Sequence, residues 1–272
     1  MALPNRPLQR TWSSLTLGST PLNGNDVRQT TMNAFDNYRG FLSSLPVSDQ
    51  YDPGDLLVPD LLMAEEGDLR MFYAPFDWTN ESARLIILGI TPGWTQMELA
   101  CRTARVAILE GRTADEVCRT AKQQASFAGP MRSNLIRMLD TLGVPNLLNV
   151  ESAADLFGRA SRLLHTGSAM RYPIFVGPRN YTGSNPGPAK SRLLLRVARE
   201  LLVPELESVP DADIVPLGRS VEEVLKILAA DGSINRRRWL SGFPHPSGAN
   251  GHRARLLEEN RAHDILGATI AA

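Results

Sequence analysis

Two short stretches of the chain combine residue types and spacing that suit chemistry on a bound ligand. The first is Gly89-Ile-Thr-Pro-Gly93, which follows the continuous apolar run Leu85 to Leu88. The second is Gly242-Phe-Pro-His245-Pro-Ser-Gly-Ala-Asn250. Proline and glycine end a strand and allow a tight loop that displays backbone amides and carbonyls. The first stretch is also compatible with an ordinary junction between a strand and a turn.

The elements that must position these loops are predicted to alternate between strands and helices. The apolar run before the first loop is typical of a strand buried on both faces of a parallel sheet. In open α/β sheets, ligands bind beyond the carboxyl ends of the strands, so we expect a site at this loop. Capping boxes are expected at Thr113 and Ser220. Further strands are predicted at 147–150, 162–165, 173–177, 213–217 and 239–243, and helices at 26–45, 96–109, 113–124, 133–142, 189–202, 220–230 and 251–266.

Length and composition favour one α/β domain with an N-terminal extension. The chain has 272 residues, of which 43% are hydrophobic, enough for a substantial core. It lacks an apolar run of about 20 residues and an apolar secretory leader, so we expect a cytoplasmic protein. Two cysteines cannot ligate an all-cysteine iron–sulfur cluster, and no metal or cofactor is expected. We divide the chain into an arm, helix and acidic loops at 1–83 and an α/β domain at 84–272.

Charge is unevenly distributed although the net charge is zero. Residues 48–81 hold nine acidic side chains against one arginine, whereas 231–255 hold five arginines against Asp231. The basic end is therefore a candidate face for a polyanion, because arginine binds phosphate in a bidentate manner. Genomic base composition is the alternative reason for the arginines. The acidic stretch predicts loops with a short helix at 56–65, and its aromatic residues Phe72, Tyr73, Phe76 and Trp78 are expected to pack against the sheet.

Taken together, the two loops resemble the first and second motifs of the uracil-DNA glycosylase superfamily. Two stretches between them complete the resemblance. One is similar to the segment whose aromatic residue stacks on the extruded base: Phe127-Ala-Gly-Pro-Met-Arg-Ser-Asn134. The other is similar to the strand that ends in the residue that reads the base edge: Arg162-Leu-Leu-His165. The resemblance spans about residues 84–266. It implies a three-layer α/β/α sandwich with a central, mainly parallel sheet, plus an N-terminal helical extension.

The resemblance implies a monofunctional DNA glycosylase that flips a base out of DNA and cleaves its N-glycosidic bond. It implies that His245 donates a hydrogen bond to the base oxygen and that Thr91 orients the attacking water. The implied base pocket consists of Gly89, Ile90, Pro92, Gly93, Trp94, Phe127 and His165. The implied DNA contacts are Arg132, Ser133, Asn134, Ser247, Gly248, Ala249, Asn250, Arg253 and Arg255.

Three positions depart from the superfamily pattern. Thr91 cannot act as a carboxylate base, so catalysis there would rest on positioning and electrostatics. His165 replaces the asparagine that reads the pyrimidine edge and offers a different donor and acceptor pair. Ala249 replaces a leucine that wedges into the duplex. We therefore expect uracil or, by preference, a modified pyrimidine such as a hypermodified cytosine of viral DNA as substrate, in repair or antiviral defence. The alternative is a protein that binds an altered base without cutting DNA.

Overall fold

The computed structural model describes residues 24–234, 239–247 and 255–257, with the backbone alone for 24–33. Within these ranges, the chain contains no helix with the length and apolar character needed to cross a membrane. The helices are Gly24–Ser44 (α1), Pro53–Leu56 (α2), Trp94–Leu109 (α3), Ala114–Ala125 (α4), Pro130–Thr141 (α5), Val144–Leu148 (α6), Arg192–Val197 (α7), Val203–Glu207 (α8) and Arg219–Ala230 (α9). The strands are Leu62–Glu66 (β1), Leu69–Phe72 (β2), Leu85–Gly89 (β3), Leu164–Ser168 (β4), Ile174–Val176 (β5), Arg179–Asn180 (β6) and Asp213–Pro216 (β7).

A parallel sheet with the strand order β4-β3-β7 lies at the centre of the α/β part. Ile86 of β3 is in register with His165 of β4 on one side and with Ile214 of β7 on the other. Trp239 forms a single parallel bridge to Ile214. The prediction of an α/β fold with a parallel sheet is thus confirmed, while the strand expected at 239–243 is reduced to this bridge.

The parallel sheet is buried on both faces, which explains the continuous apolar run of β3. Side chains alternate between the two faces of a strand. Leu85 and Ile87 pack in one hydrophobic cluster with residues of α5 and α6. Ile86 and Leu88 pack in the other with residues of α3 and α4. A polar side chain at any of these four positions would be removed from water without gaining a hydrogen-bond partner.

A second, antiparallel sheet with the order β1-β2-β5-β6 was not predicted. Its first two strands lie in the acidic stretch, where we expected loops and a short helix at 56–65. That expectation is wrong, because β1 takes up 62–66. Gly67, with φ 59°, allows the tight turn between β1 and β2. The chain before residue 84 thus supplies strands as well as a helix. Because β2 pairs with β5, residues from 1–83 and from 84–272 share one sheet.

Most predicted helices are confirmed, including the Thr113 capping box, in which the Glu116 amide donates to Thr113 Oγ1 over 3.4 Å. Two local predictions are wrong. Residues 147–150 are not a strand, because helix α6 extends to Leu148 and Asn149 forms its left-handed C-cap. Ser220 does not cap α9, which begins one residue earlier, after Gly218 with φ 92°. Of the helix predicted at 251–266, residues 255–257 are helical, and the remainder lies outside the described ranges.

Candidate functional site

A cleft opens at the carboxyl edge of the parallel sheet, between the ends of β3 and β4. It holds about 290 Å³ of space, part of it open to solvent. The lining residues are Phe76, Pro92, Gln96, Lys122, Ser126, Phe127, Thr166, Gly167, Ser168 and Arg171.

Phe127, expected to stack on a base, lies in this cleft with an unusual backbone conformation. Its φ of 53° is rare for a bulky residue and is maintained only where the surroundings enforce it. A Cβ atom on Gly89 would lie 3.3 Å from Phe127 Cε1, so a glycine at the end of β3 lets the ring approach the strand closely. Among the other residues of the implied base pocket, Pro92 also lines the cleft.

Ile90, Gly93 and Trp94 hold the first loop against its neighbours. Ile90 is buried, with 7% of its surface exposed, and belongs to the hydrophobic cluster that covers one face of the sheet. Gly93 precedes α3, where its amide donates to Gln96 Oε1 over 3.1 Å. The Trp94 amide donates to Asn180 Oδ1 over 2.9 Å. These contacts fix the start of α3 beside the cleft.

Thr91 links the first loop to the segment before β5 rather than presenting its hydroxyl to the cleft. Its Oγ1 donates to the Tyr172 carbonyl over 2.9 Å and accepts from the Ile174 amide over 3.0 Å. A threonine hydroxyl has one hydrogen to donate, and here that hydrogen is used. The structure therefore gives Thr91 a role in holding the loop, which corrects the expectation that its hydroxyl directs a water.

The second loop is tied to β7 and α5 by backbone contacts. The Gly218 amide donates to the Phe243 carbonyl over 2.9 Å, and a Cβ atom on Gly218 would lie 3.3 Å from His245 Cβ. Asn134 Nδ2 donates to the Pro246 carbonyl over 2.9 Å. Since Gly218 lies two residues after the end of β7, the second loop lies at the same edge of the sheet as the first. We call the loops 89–93 and 244–247 the edge loops.

His245 is held in one tautomer when it is neutral. Its Nδ1 accepts a hydrogen bond from the Ser247 amide over 3.2 Å, so the proton of the neutral ring is on Nε2. Burial lowers the pKa of His245 from its ordinary value, which favours the neutral ring at pH 7. Nε2 is therefore a hydrogen-bond donor that carries no charge of its own.

His165 does not line the cleft, in contrast to the expectation that it reads a base edge. Its side chain is 1% exposed. Nδ1 accepts from the Asn80 amide over 3.2 Å, and Nε2 lies 2.7 Å from Glu205 Oε1, so both ring nitrogens are paired within the protein. The positions of β4 that reach the cleft are the next three, Thr166 to Ser168. The assignment of His165 to the base pocket is therefore corrected by this placement.

Glu205 is the centre of a buried group of charged and polar side chains that we call the ionic cluster: Lys122, His165, Arg171 and Glu205. Lys122 Nζ lies 3.0 Å from Glu205 Oε1, and Arg171 Nη2 lies 2.9 Å from Glu205 Oε2. The side chains of these three residues are at most 5% exposed. Only Lys122 and Arg171 of the cluster line the cleft.

The pKa values in the ionic cluster reflect a balance between burial and charge. Burial alone would raise the pKa of Glu205, but Lys122 and Arg171 outweigh it and hold that pKa well below the usual value. Burial, together with the charge of Lys122, lowers the pKa of His165 to about 4 although Glu205 opposes the shift. Burial also lowers the pKa of Lys122, against the attraction of Glu205. The cluster thus contains a carboxylate and a neutral imidazole at pH 7.

Asp77 is the second acid near these cations. It accepts hydrogen bonds from the hydroxyls of Tyr73, over 2.7 Å, and Tyr172. Burial raises the pKa of Asp77, although Arg171 opposes the shift. Both oxygens of this carboxyl group are therefore occupied by tyrosines.

The residues implied as DNA contacts have varied placements. Arg132 donates to the carbonyls of Gln124 over 2.9 Å and Ser126 over 2.6 Å at the end of α4, so it stabilises a helix terminus. Asn134 is buried and supports the second loop. Because Asn134 is buried, it is not placed as a phosphate contact, which corrects that assignment. Arg132 is partly exposed and stays a predicted DNA contact. Ser133 and Arg255 are exposed and Ser247 is partly exposed, whereas Gly248, Ala249, Asn250 and Arg253 lie outside the described residues.

Sequence reasoning missed most of the polar lining of the cleft. Lys122 carried a usable signal, because it lies on the buried face of α4 with Cys118, Ala121 and Ala125, where a lysine is unusual. Phe76 packs in the hydrophobic cluster on one face of the sheet, as expected, and it also lines the cleft, which was not predicted. Arg171 and Glu205 gave no local signal, because their pairing joins segments 34 residues apart.

The chain is 40% identical over 209 residues to a Bacillus subtilis (strain 168) protein with the name Uncharacterized protein YoxB. The aligned region covers 76% of this chain and 82% of YoxB. No protein-family model matches the chain. Identity of this extent over most of both chains means that the protein belongs to the same family as YoxB.

Proposed function

We propose that this protein is a monofunctional DNA glycosylase that flips a base out of DNA and hydrolyses its N-glycosidic bond. The substrate is uracil or, by preference, a modified pyrimidine such as a hypermodified cytosine of viral DNA. The proposal includes the three-layer α/β/α arrangement of the uracil-DNA glycosylase superfamily, DNA as the partner of a monomeric protein, and a cytoplasmic role in repair or antiviral defence.

The observation that carries the proposal is the position of the edge loops. They bear the two motifs that resemble the superfamily, and both lie at the carboxyl edge of one parallel sheet. The cleft at that edge contains Phe127, at the position of the aromatic residue that stacks on the base. An extruded base requires a flat apolar surface for stacking and polar groups for its edge. Pro92 and Phe127 supply the former, and Gln96 and Ser168 supply the latter.

His245 supports the chemistry of bond cleavage. Breaking the N-glycosidic bond leaves negative charge on the departing base, and a fixed donor is most valuable where such charge develops. The neutral tautomer with a proton on Nε2 provides this donor. Because Thr91 is engaged with Tyr172 and Ile174, we assign catalysis to positioning and electrostatics rather than to a base in the first loop.

One observation favours a second candidate, a protein that binds an altered base without excising it. The Thr91 hydroxyl, at the position where the superfamily carries a water-directing residue, is committed to the backbone of Tyr172 and Ile174. A protein of the same fold with this substitution retains the cleft with Phe127 while lacking an evident means of activating water.

Incubation with end-labelled DNA followed by alkali discriminates between these functions, because only a glycosylase leaves an alkali-sensitive abasic site. The panel contains strands with uracil, cytosine and hypermodified cytosines, in single-stranded and double-stranded form. His245→Ala is the control for contaminating activity. Cleavage by the wild type alone supports the glycosylase. Selective binding without cleavage supports the second candidate. If the protein neither cleaves nor selectively binds any of the strands, both candidate functions are contradicted.

A further inference from the structure

Arg171 has a buried hydrogen-bond donor for which no described residue provides an acceptor. Its Nε and Nη2 donate to Glu205 Oε2 over 3.1 and 2.9 Å, and Nη2 also donates to the Leu201 carbonyl over 3.1 Å. Nη1 is buried and has no hydrogen-bond partner among the described residues. Arg171 is 5% exposed and lines the cleft. A buried unpaired donor is costly, so its presence beside a cleft points to an acceptor supplied by a ligand.

Lys122 adds a second donor at the same part of the cleft. Its Nζ donates to Glu205 Oε1 over 3.0 Å and to the Trp78 carbonyl over 2.7 Å. An ammonium group has three hydrogens, so these two bonds leave one more to donate. Lys122 and Arg171 share the single carboxylate of Glu205, while the oxygens of Asp77 are occupied by tyrosine hydroxyls. This part of the cleft therefore offers donors and positive charge.

We propose that Lys122 and Arg171 bind a carbonyl oxygen on the ring of the extruded base and stabilise the negative charge that this oxygen acquires during cleavage. The inference rests on the proposed function for the identity of the ligand. When the glycosidic bond breaks, its electron pair leaves with the base and spreads onto the carbonyl oxygens. Water adds its hydroxyl to the sugar carbon, and its remaining proton neutralises the base. The two cations act on this charge from within a site of low dielectric constant, where their effect is large.

The same arrangement predicts which bases the cleft excludes. An amino group directed at Arg171 Nη1 would place donor against donor and leave both groups unpaired. A site that requires an acceptor rejects a ligand with a donor there more strongly than a merely apolar site would. Arg171 is therefore also a specificity-determining residue.

The test measures binding of free bases to the full chain by calorimetry, without DNA and without catalysis. The probes are uracil, which has two ring carbonyls, 2,4-diaminopyrimidine, which has amino groups in their place, and formate, an oxyanion without a ring. We expect uracil to bind at least about tenfold more tightly than either other probe, the factor for about one charge-assisted hydrogen bond. Equal binding of diaminopyrimidine overturns the acceptor requirement. Equal binding of formate overturns the assignment to a base, and absence of uracil binding overturns the proposal.

Arg171→Lys tests the residue itself, since lysine retains the charge beside Glu205 but removes the planar fork. We expect uracil affinity to fall at least about tenfold. Arg199→Lys is the matched control, because Arg199 also binds a carboxylate, Asp231 over 2.7 Å, at an exposed site. Unchanged affinity in Arg171→Lys overturns the proposal.

Two further outcomes separate this inference from the proposed function. If Arg171→Lys fails to fold, the inference is tested by the wild type alone, through its preference for uracil over diaminopyrimidine. A chain that binds uracil through Arg171 but leaves no abasic site in any DNA supports this inference and overturns the assignment as a glycosylase. If the wild type excises a base and Arg171→Lys binds uracil with unchanged affinity, the assignment as a glycosylase is supported and this inference is overturned.

Discussion

The edge loops and the ionic cluster are held in place by different forces. The edge loops are fixed by hydrogen bonds between neutral groups, such as those of Thr91 and the contact of Asn134 with Pro246, and His245 remains partly exposed. The ionic cluster is fixed by charges whose side chains are at most 5% exposed. Removing a neutral group costs about one hydrogen bond, whereas removing one partner of a buried ion pair leaves an uncompensated charge. Side chains of the edge loops can therefore be replaced without unfolding the protein, whereas replacing a side chain of the ionic cluster lowers the free energy of unfolding strongly.

The largest effect is expected for Glu205→Gln, which leaves Lys122 and Arg171 buried without their carboxylate. Breaking a buried pair in this way typically costs about 3–5 kcal/mol of the free energy of unfolding. Glu151→Gln is the matched control, because Glu151 pairs with Arg159 over 2.6 Å but is 85% exposed, and exposed pairs contribute about 0–1 kcal/mol. Urea unfolding of both variants measures the difference. A cost for Glu205→Gln as small as that of the control would show that the cluster is not a stabilising charge network.

His245→Ala is expected to lower the excision rate about 10²–10³-fold while leaving DNA affinity nearly unchanged, because the donor matters most when charge has developed on the base. Single-turnover kinetics gives the rate, and DNA titration gives the dissociation constant. The free energy of unfolding should change little, since the loop is also tied by the contacts of Gly218 and Asn134. Parallel losses of rate and affinity would make His245 a positioning residue instead.

Acid is expected to destabilise the protein through His165. Its pKa is about 4 in the folded chain, lowered from 6.5. Between these values the unfolded chain binds more protons than the folded one, so the free energy of unfolding falls as the pH falls, by up to about 3 kcal/mol. Glu205, with its lowered pKa, adds to this loss below the ordinary range for a glutamate, whereas the raised pKa of Asp77 opposes it.

The measurement is urea unfolding across this pH range for the wild type and His165→Gln. Glutamine has no titratable group there, so its slope of stability against pH should be shallower. If both proteins lose stability equally between pH 6.5 and 5, the loss does not arise from His165.

Thr91→Val is expected to have the smallest effect, a loss of about 1–3 kcal/mol in the free energy of unfolding, because the Tyr172 carbonyl and the Ile174 amide lose their partner. Excision should fall far less than in His245→Ala. Thr141→Val is the matched control, since the exposed Thr141 hydroxyl donates only to the Arg137 carbonyl within its own helix. A rate loss comparable to that of His245→Ala, without loss of stability, would return Thr91 to a catalytic role.

Much of the backbone around the site was predictable from local sequence patterns. The apolar run of β3, the proline and glycine after it, and the periodicity of α3, α4, α5 and α9 are local patterns, and local patterns reflect the conformation of the segment that contains them. The parallel sheet and the placement of both edge loops at one end follow from the alternation of strands and helices. Phe127 and Pro92 were assigned to the base pocket from the resemblance to the superfamily, and both line the cleft.

The pairing of the polar groups, in contrast, depends on how distant segments meet in the folded chain. Lys122, His165, Arg171 and Glu205 come from four separate segments, and no periodicity of the chain relates them. The roles of Thr91 and Asn134 likewise depend on backbone groups 83 and 112 residues away. A hydrogen bond requires its donor and acceptor within about 3 Å, a condition that depends on how distant segments meet and not on the residues beside each group.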